Sequence, residues 1–177
     1  PSIDTGGGLE RWAAVLQGVR NNFDSDLFSG LLERAQDVSG KAVGQTDEAD
    51  VSLRVVADHA RTLAVMVGDG VLPSNAGRGY VLRRILRRGS RHGVLLGVDE
   101  PFLYKVADAA IDELGDAYPD LRDRREFILE RIKRDEERFL TTLSKGLQLL
   151  EEEILEAKSQ GAETLDGKTA FKLYDTF

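Results

Sequence analysis

The sequence predicts an all-α protein: a helical bundle with one long C-terminal helix, preceded by a short strand and glycine turn. Two observations carry this. Apolar residues recur three and four apart through most of the chain, the spacing that lines one face of an α-helix. The interruptions fall at Gly, Pro, Asp, Asn and Ser, the residues that start and stop helices.

Taken in order, Ser2 to Asp4 can be extended and leads into Thr5 and three glycines. A helix is expected from about Leu9 to Val19, with Leu9, Trp12, Ala13, Leu16 and Val19 on one face. A strand, glycine turn and helix invite a phosphate-binding reading, since helix N-termini present free N–H groups. Neither GxGxxG nor GK[ST] is present, however. Asp24 and Ser25 can cap a second helix to about Ala35, burying Leu27, Phe28, Leu31 and Leu32. After a glycine-containing loop, a longer helix runs from about Asp47 to Val67 with Leu53, Val56, Ala60, Leu63 and Val67 inward. His59 within it reads as a hydrogen-bonding structural histidine, and Gly68-Asp69-Gly70 ends it.

Beyond the basic stretch that comes next, Pro101 is placed as the first residue of a helix ending near Gly115. Its apolar face is Phe102, Leu103, Val106, Ala110, Ile111 and Leu114. Pro119 then opens the longest periodic stretch, to Ser159, about 40 residues or roughly 60 Å of helix. Its apolar stripe runs from Leu121 to Ile154, and its charged faces, including Asp135-Glu136-Glu137, read as mostly solvated. Gly161 ends it, Leu165-Asp166-Gly167 signals a turn, and the pattern stops in mid-course at Phe177. Both ends have the look of cuts, so a piece of a longer protein is expected.

Composition bounds the function. The 177 residues are 41% hydrophobic and 31% charged, ordinary for one well-buried domain. With no cysteine and two histidines, disulfides and thiolate metal sites are excluded, a His-based metal centre is not expected, and the metal set is read as none. No apolar run approaches the roughly 20 residues that span a bilayer, so no membrane partner and a cytoplasmic location are expected. The formal net charge is −7.

That charge is strongly segregated. Val71 to Val98 holds six arginines, one histidine and no acid. On a helical wheel Arg83, Arg87, Arg91, Arg84 and Arg88 fall within about 140°, while Ile85, Gly89, Leu82 and Leu86 occupy the opposite side. Gly89 would let another helix approach closely. Pro73, Ser74 and Asn75 are start signals, with the Asn75 side chain able to cap free backbone N–H groups. A face of guanidiniums suits a polyanion, because arginine forks match phosphate. The alternative is that acids inside the fold neutralise it.

Three stretches, IDTGGGLER at 3–11, PSNAGRGYVLRRILRRGSRHG at 73–93 and FKLYDTF at 171–177, together resemble the alanyl-tRNA synthetase family. The resemblance covers essentially the whole chain, from class II motif 3 through the helical tRNA-recognition region. It implies three parts: residues 1–22 ending the class II catalytic domain, 23–160 forming the helical tRNA-recognition domain, and 161–177 leading toward an editing domain and carrying Asp175. It further implies that Asp4 receives the alanine ammonium, that Gly6 lines the alanine pocket, and that Gly8 and Arg11 meet ATP. Gly7 departs from the family, where a larger residue, often methionine, is usual.

In that family the acceptor stem of tRNA(Ala) is identified by a G·U wobble pair. The resemblance implies that Asn75 and Asp175 read it and that Arg78, Arg83, Arg84, Arg87, Arg88 and Arg91 belong to the tRNA-binding set. ATP and Mg are implied for the whole enzyme, with neither expected in this piece. Motifs 1 and 2 would precede it, and the editing domain with its zinc site would follow, so the piece alone is expected to be catalytically inactive. Two other readings are a non-catalytic helical protein-interaction module and a non-specific basic-helix binder of nucleic acid.

Overall fold

A computed structural model describes residues 5–176; Ser2–Asp4, where the strand was expected, lies outside the described residues. Among the described residues there are eight α-helices, one 3-10 turn and no strand. The helices are α1 (Leu9–Gln17), α2 (Asp26–Ser39), α3 (Asp47–Gly68), α4 (Gly77–Leu95), α5 (Leu103–Leu114), α6 (Pro119–Asp123), α7 (Arg125–Ser159) and α8 (Gly167–Thr176). They form two compact units, one ending at Glu136 and one beginning at Glu137, the division falling within α7.

In the first unit α3 is the central helix, packed against α2, α4 and α5. Its predicted inward residues Leu53, Val56, Ala60, Leu63 and Val67 are all buried, joined by Ala57 and Ala64. Phe28, Leu31, Leu32 and Ala35 of α2, Leu82 and Leu86 of α4, and Val106, Ala110 and Ile111 of α5 complete the core with Ile128 and Ile132 of α7. Thr46 caps α3 by accepting the Ala49 N–H at 3.1 Å, and three acids occupy its first turn, where the helix dipole favours them. Buried His59 keeps a hydrogen-bond partner, Nδ1 lying 2.9 Å from the Asp58 carboxylate. This bears out its structural reading.

Several details depart from the periodic reading. The apolar face of α1 is open: Trp12 is 65% and Leu16 83% exposed, and only Ala14 of the helix is buried. Helix α1 is tied down instead by Glu10, whose carboxylate accepts from Arg61 at 2.6 Å while that guanidinium also covers the Phe28 ring at 4.2 Å. The stretch from Pro119 to Ser159 is two helices, interrupted at Arg124. There the chain turns so that Leu121 and Ile128 settle on Gly68, and Arg124 donates to the Gly68 carbonyl at 2.8 Å, satisfying the C-terminus of α3.

Helix α5 begins at Leu103 rather than Pro101 because its cap comes from far along the chain. Glu136, expected on a solvated face, is fully buried. Its carboxylate accepts the Phe102 N–H at 3.0 Å and the Leu103 N–H at 2.9 Å, and the Ser90 hydroxyl at 3.2 Å. Two of the free donors at the start of α5 are thereby satisfied by a carboxyl oxygen from α7.

In the second unit, α8 is started by Asp166, whose carboxylate accepts the Lys168 and Thr169 N–H groups at 2.6 and 3.0 Å. These bonds hold Asp166 below the usual carboxylate range. Phe139, Leu143, Leu147 and Leu150 of α7 line a shallow groove of about 240 Å³ with Leu173 of α8.

Candidate nucleic-acid interface

The loop from Val71 to Ala76 folds back on the first turn of α4. Ser74 N–H donates to the Gly79 carbonyl at 3.0 Å, and the Ser74 hydroxyl to the Ala76 carbonyl at 2.9 Å. Gly79 is what permits this: a Cβ there would lie 2.3 Å from the Leu72 carbonyl oxygen. Ala76, in extended backbone, occupies the N-cap position, and no side chain caps the helix. The expectation that Asn75 caps α4 is therefore not met. Asn75 is exposed, and its Oδ1 accepts a hydrogen bond from Nη1 of Arg83, two turns along the helix.

Along α4 the wheel is realised. Gly79, Leu82, Leu86, Gly89, Ser90 and Gly93 are buried, while Arg78, Arg84, Arg88 and Arg91 are exposed and Arg83 and Arg87 half-buried. Gly89 does allow close approach, of α5 and α3, since a Cβ there would be 3.2 Å from Leu103 and 3.4 Å from His59. Among the described residues, no carboxylate comes within ion-pair distance of Arg78, Arg83, Arg84, Arg88 or Arg91. Glu136 of α7 reaches α4 at Ser90, on the buried side. Arg88 lies near enough to Asp58 to add to the lowering of that carboxyl, which is due first to the His59 hydrogen bond. Partial burial and the charge of Arg83 lower Arg87 below the usual guanidinium range.

Two residues near these arginines were not singled out from sequence. Tyr80 is exposed, and the guanidiniums of Arg83 and Arg84 stand 5.6 and 5.9 Å from its ring centre. Its position three and four residues before them was the available signal, because such pairs are neighbours on a helix. His92 packs its Nδ1 against the Ser52 hydroxyl at 3.1 Å. Burial first, then Arg88 and Arg91, hold its pKa below the usual imidazole value, which disfavours a positive charge there.

The remaining expected site residues are carried by other segments of the chain. Gly6, Gly8 and Arg11 are exposed around the start of α1, where the Gly8 carbonyl accepts the Arg11 and Trp12 N–H groups at 3.1 and 3.2 Å. A Cβ at Gly7 would meet the Trp12 indole nitrogen at 3.2 Å. Asp4 lies outside the described residues, and Asp175 is exposed near the end of α8 in the second unit. Among the described residues no cluster of His, Asp or Glu is arranged to hold a metal ion, and no helix is long and apolar enough to cross a membrane.

The family described as class II (A) tRNA synthetases matches residues 1–177, and the chain belongs to that family. Within it the chain is similar to proteins named alanine–tRNA ligase. It is 53% identical over 175 residues to the one from Desulforamulus reducens, covering 99% of this chain and 20% of that protein. It is 49% identical over 177 residues to the one from Thermoanaerobacter pseudethanolicus, covering 100% of this chain and 20% of that protein. The Anaeromyxobacter relative is 50% identical over 192 residues, 100% of this chain and 21% of that protein. The chain thus spans about one fifth of the length of these relatives.

Proposed function

We propose that this chain is the acceptor-stem-recognition part of an alanine–tRNA ligase, which activates alanine with ATP and attaches it to tRNA(Ala) in the cytoplasm. The observation that carries the reading is the face of α4: Arg78, Arg84, Arg88 and Arg91 are exposed with no carboxylate at ion-pair distance among the described residues, and an exposed amide stands at their head. Arg78, Arg83, Arg84, Arg87, Arg88 and Arg91 form the basic set that holds the stem through its phosphates, which position the RNA without reading sequence. Asn75 and Asp175 read the G·U pair. A-form RNA exposes base edges in its shallow minor groove, where the wobble leaves the guanine amino group free for an amide or carboxylate acceptor. Residues 1–22, 23–160 and 161–177 are the end of the catalytic domain, the recognition domain and the segment toward the editing domain.

Toward the small substrates, Asp4 and Gly6 take the alanine ammonium and its surroundings, and Gly8 and Arg11 the ATP phosphates. Arg11 fits that role: it is exposed, has no carboxylate at ion-pair distance among the described residues, and stands beside a glycine at a helix start. ATP with its Mg would supply the phosphate chemistry of activation, and the chain's own contribution is to bind and orient.

Titration with an acceptor-stem hairpin carrying G·U, then G·C, tests the proposal. Preference for G·U that disappears in Asn75→Ala or Asp175→Ala is expected. Equal and steeply salt-dependent binding of both hairpins would instead indicate a non-specific basic helix, and absence of binding would leave the protein-interaction module standing. The chain alone is expected to give no ATP–pyrophosphate exchange.

A further inference from the structure

The six arginines of the basic stretch are not equivalent, and Arg83 is bonded to Asn75. Like Arg87, Arg83 is half-buried, where Arg78, Arg84, Arg88 and Arg91 are exposed. Its Nη1 donates to Asn75 Oδ1, and its guanidinium is shared with the Tyr80 ring at 5.6 Å. The Asn75 backbone is held independently, through the Ser74 bonds to Gly79 and Ala76 that the missing side chain at Gly79 allows. What this loop geometry leaves open is the rotation of the Asn75 amide. A primary amide has an acceptor oxygen on one side and a two-donor nitrogen on the other. Opposite a guanidinium, which only donates, the oxygen alone makes a bond.

We propose that Arg83 is a positioning residue for Asn75, fixing which way its amide faces, rather than one more phosphate grip. With the oxygen turned to Arg83, one oxygen lone pair and the Nδ2 amino group remain for an RNA base edge. The lone pair suits the free guanine amino group of a wobble pair, and the amino group suits a neighbouring acceptor such as a purine N3 or a ribose 2′-hydroxyl. A freely rotating amide would present the two halves interchangeably and discriminate less. This inference rests on the acceptor-stem reading above and gives Arg83 a share in specificity.

The test has two arms. In the free chain, the Asn75 side-chain amide is followed by ¹⁵N–¹H NMR. Arg83→Gln should move its resonances markedly, and Arg84→Gln should leave them in place. If Arg83→Gln leaves them unmoved, the contact does not exist in solution and the inference is overturned, whatever the RNA does.

In the second arm, affinities for the G·U and G·C hairpins are measured across salt concentrations. The native chain should prefer G·U by on the order of tenfold. Arg84→Gln and Arg91→Gln should weaken both hairpins equally, keep that ratio, and shallow the salt dependence by just under one unit of slope. Arg83→Gln should bring the ratio down to that of Asn75→Ala, and the double variant should lower it no further. Arg83→Gln behaving like Arg84→Gln, with the ratio intact, would overturn the inference while leaving acceptor-stem recognition standing. No preference in the native chain, with the NMR contact present, would remove the acceptor-stem reading and the base-reading role with it. Thermal unfolding of each variant separates these results from a loss of fold.

Discussion

Glu136 shows what one buried carboxylate does to the response of the whole chain to pH. Removal from water pushes its pKa up to about 7, although two backbone N–H groups and the Ser90 hydroxyl favour the charged form. In the unfolded chain the group returns to the ordinary value of 4.5. The folded state therefore holds this proton more tightly, and the group's contribution to stability falls as pH rises from about 4.5 to about 7. The window corresponds to about 3 kcal/mol. His92 works the other way, since its folded pKa is lowered and its contribution grows as pH rises toward the unfolded value. Glu136→Gln isolates the first term: a glutamine keeps a carbonyl for the α5 donors and offers an amino group to Ser90. Urea unfolding should find Glu136→Gln more stable than the native chain at pH 8 and nearly equal at pH 4.5. An unchanged difference between the two pH values would show that Glu136 is not a buried acid in solution. Glu136→Ala, which strands both N–H groups, should cost roughly 3 kcal/mol.

At the scale of the element, α4 is only as useful as the loop that leads into it, and Gly79 ties the two together. Gly79→Ala would drive a methyl against the Leu72 carbonyl and the Ser74 hydroxyl, both 2.3 Å away. Because one of these is backbone, the loop itself must shift. A loss of about 1–3 kcal/mol is expected, with Asn75 displaced while the arginines stay on the helix. Hairpin binding by this variant should lose its preference for G·U and keep its salt dependence. Gly30 makes the contrast. It lies inside α2 with nothing near where a Cβ would stand, so Gly30→Ala should stabilise the chain by about 0.5–1 kcal/mol in thermal unfolding. The difference between the two glycines was not legible in the sequence. Both fall within stretches of helical periodicity, and only the path of a loop makes one indispensable. Gly89 was legible, because it falls on the apolar side of a wheel whose other side is charged. The cap assigned to Asn75 failed for a similar reason: local sequence offers an amide at a helix start, but not the guanidinium two turns along that takes it.

Across the whole molecule, periodicity found the helices and most of the core because each buried stripe is a local property of its own segment. Leu53 through Val67 illustrates this, with every predicted inward residue buried. What it could not supply is which stripes meet a partner. The faces of α1 and of α7 beyond Glu136 are as regular as that of α3. Yet Trp12 and Leu16 are exposed, and among the described residues after Glu136 none is fully buried. This contrast governs how the chain opens. Protection from hydrogen exchange depends on the apolar surface that must be uncovered to break a helical bond. Amides of α3 between Leu53 and Val67, enclosed by α2, α4 and α5, should open only when the first unit unfolds. Those of α8 and of α7 after Glu137 are covered by half-buried leucines and should open locally, exchanging at least a hundredfold faster, about 3 kcal/mol less protected. Exchange followed by NMR in the free chain checks this directly. Equal protection of Leu63 and Leu147 would mean that the two units unfold as one, and that burial within each does not set its stability.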